Sequence, residues 1–246
     1  MAARCWASML GGCDRISGEH VISRSVLEDV GPAPVIVECV HRVPPGQYSV
    51  NSLTANILCR KHNSQLSPLD ATAGLIAAFM LTSGDAWPGR VLKVDGNLLE
   101  RWLAKTVINY MFAGWAEEKK WPPHEDIVRT IFGEGSAPDG CGMFAVQSDA
   151  LPIKSNNEVA VTLMWEQNPE GQKRPVGAFV SLHRLPLFLA LSARAAQRFE
   201  SGDVLSGPSR YLSQPVRLKR HPDVIMLGEN GVAHSEIRFH WTRVST

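Results

Sequence analysis

Residues 59–70 read CRKHNSQLSPLD, and the reading of this stretch decides the front of the fold. Cys59 and His62 form a C-x-x-H knuckle, a spacing that lets a thiolate and an imidazole share one metal ion. Asn63 follows at once. Ser67-Pro68-Leu69-Asp70 then reads as a helix start: a serine cap, a proline at the first helical position, and an acid that can accept from free backbone donors. On this reading Asp70 serves the helix, with direct metal contact as its rival role.

Upstream, Cys5 and Cys13 are separated by WASMLGG, where Gly11-Gly12 allows a tight turn just before the second thiol. Cys5, Cys13, Cys59 and His62 could therefore close a tetrahedral structural Zn²⁺ site. Such a site would contribute folding free energy to a loop-rich segment with little core of its own. In the bland alternative Cys5 is a terminal thiol and Cys59 a core residue; the knuckle partner His62 favours the metal.

The 246 residues are 44% hydrophobic, enough to bury a core and to form one large or two smaller domains. With 25 basic and 24 acidic residues the formal charge is +1, so any grip on nucleic acid must come from local patches. No apolar run approaches the roughly 20 residues of a membrane helix, and MAARCWASMLGGCDR lacks the apolar stretch of a secretory signal. A cytoplasmic, membrane-free protein is the expectation, with self-association left open. Five cysteines without an export signal suit metal ligands or buried thiols better than a disulfide framework. Cys39 and Cys141 read as buried or incidental thiols.

The expected fold class is α+β in three parts. Residues 1–82 are mostly loop and site, punctuated by the GPAP and VPPGQYS turns. Residues 83–136 form a helical connector: Leu99, Trp102, Leu103, Thr106, Val107, Tyr110 and Met111 recur at helical spacing, and a second helix is expected from Glu125 to Phe132. The GEGSAPDGCG loop marks the main division. In residues 137–246, EVAVTLMW and VGAFVSL read as two strands joined by a turn, PLFLALSARAAQRF as a helix, and SEIRFHWTRV as a half-buried strand. No G-x-S-x-G, P-loop or dinucleotide-binding glycine motif occurs there.

Glu19-His20 sits in ISGEHVIS, a short β-prone run after the second cysteine, and Asn56 and Asn63 flank the knuckle in TANILCRKHN. A cysteine pair, then Glu-His-Val-Ile, then Asn-Ile-Leu-Cys-x-x-His-Asn resembles the HNH endonucleases, over roughly the first seventy residues. The resemblance implies an N-terminal ββα-metal domain with structural zinc, and metal-dependent hydrolysis of DNA phosphodiester bonds, with RNA as a second substrate class. It implies His20 as general base, Asn56 as the residue that orients it, and Glu19 and Asn63 as ligands of a catalytic Mg²⁺ or Mn²⁺. The pattern is H-N-N and not H-N-H, and His62 could instead be the third family residue on the catalytic metal. Arg15, Arg24, Arg60 and Lys61 surround the proposed site as phosphate contacts. The RLKRH cluster at 217–221, with Arg210, reads as a second patch or as a solvated face. The alternative function is a zinc-stabilised nucleic-acid-binding or interaction protein that does not cut.

Overall fold

A computed structural model describes residues 5–28, 35–37, 43–82, 89–116, 123–147, 151–152, 159–167, 173–183, 185–201, 217–229 and 232–242. Cys39, Arg210 and the GPAP turn lie outside them. The fold is mixed α+β, and its residues divide into two compact units: Met1–Leu75 with Arg101–Ser136, and Ile76–Glu100 with Ala137–Thr246. One boundary falls in the GEGSAPDGCG loop. The stretch expected as a separate helical connector, 83–136, is instead shared between the two units.

The first unit is built on an antiparallel pair, β1 (Ile16–His20) with β4 (Thr54–Cys59). Between them in sequence come α1 (Arg24–Glu28) and the small pair β2 (Val35–Val37) and β3 (Gly46–Tyr48). The register runs Ser17 to Leu58 and then Glu19 to Ala55, so Gly18 alone faces both Asn56 and Ile57. That extra residue is a β-bulge, a device that re-aims side chains beside it. Helix α2 (Arg60–Gln65) leaves β4 directly, and α3 (Ser67–Thr82) follows it.

Strand β5 (Arg90–Asp95) leads into α4 (Gly96–Phe112), whose first backbone N–H groups at Asn97 and Leu98 donate to Asp95 Oδ1 at 2.9 and 3.2 Å. All seven residues placed on the apolar face by their spacing are buried. Lys105 and Asn109 are buried as well, so the helix has polar groups inside and is not simply amphipathic. Helix α5 (Glu125–Phe132) matches its expected span; His124 caps it by accepting from Asp126 N, and Gly133, at φ +76°, ends it.

The second unit holds two sheets. One runs β11 (Arg217–Arg220), β6 (Gly142–Gln147), β10 (Leu185–Ala190), β9 (Lys173–Leu182), β8 (Val159–Gln167). The other runs β5, β13 (Val232–His240), β12 (Val224–Glu229), β7 (Leu151–Pro152). The expected β8–β9 pairing is antiparallel. In β13, Ile237 and Phe239 are buried while Arg238 and His240 are exposed, as the alternation requires. The expected helix over PLFLALSARAAQRF is corrected: its first part is strand β10, and only Ala193–Ser201 is helical, α6. LPLFLA is buried at every residue between two neighbouring strands, so it shows no alternation to distinguish it from a buried helix.

Among the described residues no helix is long and apolar enough to cross a membrane. The second unit's core centres on Phe199 of α6, whose ring meets those of Phe144 and Phe188 edge-on at 5.3 and 5.5 Å. Phe199→Ala is expected to destabilise the protein by about 3–5 kcal/mol, measured as a shift in the midpoint of chemical denaturation.

Candidate functional site

The cluster proposed from the cysteine and histidine spacing is assembled in the first unit. A hydrogen bond from Trp6 N to Ile57 O (3.0 Å) and another from Arg60 N to Arg15 O (2.9 Å) lay the N-terminal segment along β4. This brings Cys5 and Cys13 to Cys59 at the end of the strand. Cys59 then caps α2, its Sγ accepting from His62 N at 3.5 Å, and the first helical turn carries the imidazole back over the thiols. His62 Nδ1 lies 3.4 Å from Cys5 Sγ, 3.6 Å from Cys13 Sγ and 3.3 Å from Cys59 Sγ.

These spacings suit a metal. A tetrahedral ion with bonds of about 2.3 Å to sulfur and about 2.0–2.1 Å to nitrogen has sulfur–nitrogen edges of about 3.5 Å. The four ligating atoms all lie within 4.8 Å of one another. The cluster could therefore hold a metal ion such as zinc. Burial pushes the Cys5 thiol up to about 12 and raises that of Cys13, so without a metal these groups keep their protons and metal binding must release them. The surroundings complete the site: Phe132 of α5 meets the His62 ring edge-on at 5.4 Å, and the Trp6 ring lies 5.9 Å from the same phenylalanine. Four protein ligands leave no open coordination position, the mark of a structural site.

The Glu19-His20 pair occupies the other end of β1. His20 is half-buried, and burial holds its imidazole below the usual histidine range against a hydrogen bond to the Val50 backbone. Its Nε2 is buried with no hydrogen-bond partner, as are Ser17 Oγ on the same strand and Thr106 Oγ1 on α4, an arrangement that costs about 1–3 kcal/mol where no water fills it.

Glu19 is placed differently from the expectation. It is buried, and Oε1 lies 2.6 Å from Lys105 Nζ. The same ammonium donates to both oxygens of Asp70, at 2.7 and 2.9 Å, and Asp70 Oδ1 also accepts from Ser23 Oγ, itself held by Trp102 Nε1 at 2.7 Å. The Asp70 carboxylate thus anchors a buried cation and a serine hydroxyl, where the sequence predicts the free backbone donors of the helix start. Desolvation raises the pKa of Glu19, with Lys105 opposing it.

Asn56, expected to orient His20, is exposed on the bulge opposite Gly18. The residue that holds the strand is Asn109 of α4. Its Nδ2 donates to His20 O at 3.3 Å and to Glu19 Oε1 at 3.4 Å, while its Oδ1 accepts from Trp6 Nε1 at 2.9 Å. Sequence reading passed over Lys105 and Asn109; the one signal was their position inside the otherwise apolar run WLAKTVINYM. Asn63 lies half-buried on α2, next to His62 of the cysteine–histidine cluster. Among the described residues the Cys5–Cys13–Cys59–His62 set is the one group of three or more His, Cys, Asp or Glu side chains arranged to hold a metal.

Of the basic residues proposed as phosphate contacts, Arg15, Arg60 and Lys61 are exposed beside the cluster, and Arg24 pairs with Glu28 at 2.6 Å. In the second unit the RLKRH stretch is internally engaged. Lys219 pairs with Asp223 at 2.8 Å, Arg220 donates to Cys141 O at 2.6 Å, and His221 lies 2.8 Å from Glu100 Oε2 with its ring over Trp241.

The chain matches no family model, no curated protein and no solved structure.

Cys59→Ser is expected to lower zinc content well below one equivalent, read by elemental analysis, and to lower the melting temperature as treatment with a chelator does. Asn109→Ala leaves the indole N–H of Trp6 without its acceptor and is expected to destabilise the fold by about 1–3 kcal/mol, measured by urea denaturation of the zinc-loaded protein.

Proposed function

We propose that this protein is a zinc-stapled nuclease of HNH type that hydrolyses DNA phosphodiester bonds, with His20 as the general base. The observation that carries the reading is the convergence of Cys5, Cys13, Cys59 and His62 at one end of the β1–β4 pair while His20, with an unpartnered Nε2, sits at the other end of β1. A zinc ion on the four ligands would fix the β1–β4 pair and α2 and take no part in chemistry.

The reaction follows from the imidazole. Held below the usual range by burial, it is neutral at pH 7 and can accept a proton at Nε2. It takes that proton from a water whose oxygen attacks phosphorus; the bond from phosphorus to the 3′ oxygen breaks, and the leaving oxygen is reprotonated from solvent. The exposed Arg15, Arg60 and Lys61 are suited to holding backbone phosphates.

Two observations favour a second reading, a zinc-stabilised nucleic-acid-binding or interaction module that does not cut: Glu19, the family's metal ligand, is committed to Lys105, and His20 Nε2 is buried, so water reaches it only if the residues over it move. Conversion of supercoiled plasmid to nicked and linear forms separates the two. His20→Ala, at unchanged zinc content, is expected to lower cutting by about 10²–10⁴-fold. A wild type that binds plasmid, single-stranded DNA or RNA without cutting any of them leaves the second reading.

The pH profile of cutting carries its own sign. A base works unprotonated, so activity is lost as pH falls through the His20 pKa, and burial places that acid limb below the ordinary histidine value of about 6.5. An acid limb at or above that value contradicts the assignment.

A further inference from the structure

The family resemblance implies a divalent cation on Glu19 and Asn63, and the residues present do not fit one. Lys105 Nζ lies 2.6 Å from Glu19 Oε1, 2.7 Å from Asp70 Oδ1 and 2.9 Å from Asp70 Oδ2. An ammonium has three protons, and three carboxylate oxygens from β1 and α3 stand at charge-assisted hydrogen-bond distance to take them. The lysine side chain is 1% exposed, so its charge has no solvent to compensate it if the carboxylates are drawn away. The remaining polar contacts belong to the same lock: Ser23 Oγ donates to Asp70 Oδ1, and Asn109 Nδ2 reaches Glu19 Oε1. A magnesium ion would need octahedral oxygens at about 2.0–2.1 Å. At Glu19 and Asp70 it would stand beside a fixed positive charge in a poorly screened interior.

We infer that Lys105 is the built-in cation of the Glu19–Asp70 pair and that it closes this acidic pair to divalent metal ions. The chain thus separates two roles that a metal centre would combine. Zinc would staple the β1–β4 pair through sulfur and nitrogen ligands, and one amino group of the protein bridges the two carboxylates beside His20. The assignment stands whether or not the chain cuts nucleic acid, because it concerns what Glu19 binds.

The test uses the full-length, zinc-loaded protein with Mn²⁺ as the probe, since a three-thiolate, one-imidazole set prefers zinc to manganese. In amide-resolved NMR spectra of the wild type, Mn²⁺ is expected to leave Glu19, Ser23 and Asp70 without saturable broadening. In Lys105→Met the two carboxylates lose their counter-charge, and Mn²⁺ is expected to raise the melting temperature saturably and to broaden those same amides. Saturable broadening centred on Glu19 and Asp70 in the wild type overturns the inference. So does a folded Lys105→Met chain indifferent to Mn²⁺. If Lys105→Met does not fold, the wild-type spectra decide by themselves. None of these readouts depends on cutting, so an inactive protein and a mistaken cation assignment give different results.

Discussion

A single buried ammonium holds the Glu19-His20 end of β1 in the first unit. Lys105 Nζ joins Glu19 of β1 to Asp70 of α3 from its seat on α4, and the strand that ends on His20 cannot move without pulling a carboxylate off it. Buried pairs of this kind are poor sources of net stability, because taking the charges out of water offsets most of their attraction. Their effect lies in the alternatives they forbid: taking both carboxylates from Lys105, which is 1% exposed, would leave its charge buried and unpaired, whereas Asp70, 26% exposed, keeps some contact with solvent.

Asn109 extends the same selection to the metal cluster. One turn further along α4, its amide holds the carbonyl of His20 and the indole of Trp6, and Trp6 directly follows the ligand Cys5. The cysteine–histidine cluster and the Glu19-His20 strand are thus tied to one helix by hydrogen bonds that are buried at Trp6 and Glu19 and part-buried at the His20 carbonyl. In such an interior each unmade bond is expensive, so the network is satisfied as a whole or not at all. His20 Nε2 lies beside this network without a partner, as do Ser17 Oγ on the same strand and Thr106 Oγ1 on α4.

The metal cluster and the ion-pair lock solve different problems. The N-terminal segment, α2 and the end of β4 are short elements that bury Trp6, Ile57 and Leu58, and a metal ion on the four clustered side chains would add a cross-link to that packing. The lock acts where the chain has core in plenty, with Leu99, Trp102, Leu103 and Val107 of α4 all buried. There the question is which polar groups face one another.

Much of this was legible in the residues. The C-x-x-H knuckle and the earlier cysteines named the four clustered ligands, because metal ligation depends on a few side chains at fixed spacing. The 3.6-residue period drew α4 and α5, and the period-2 pattern drew β8, β9 and β13, because each element shows one face to the core. LPLFLA was misread because a strand buried on both faces has no period to show. The partnership of Glu19 with Lys105, the replacement of Asn56 by Asn109 at the His20 strand, and the engagement of RLKRH by Glu100, Asp223 and the Cys141 carbonyl were decided by tertiary structure alone. Lys105 is 86 positions from Glu19 in the chain, the difference between their residue numbers. Nothing local marks such a pair, because a charge acquires its partner only when folding removes both from water.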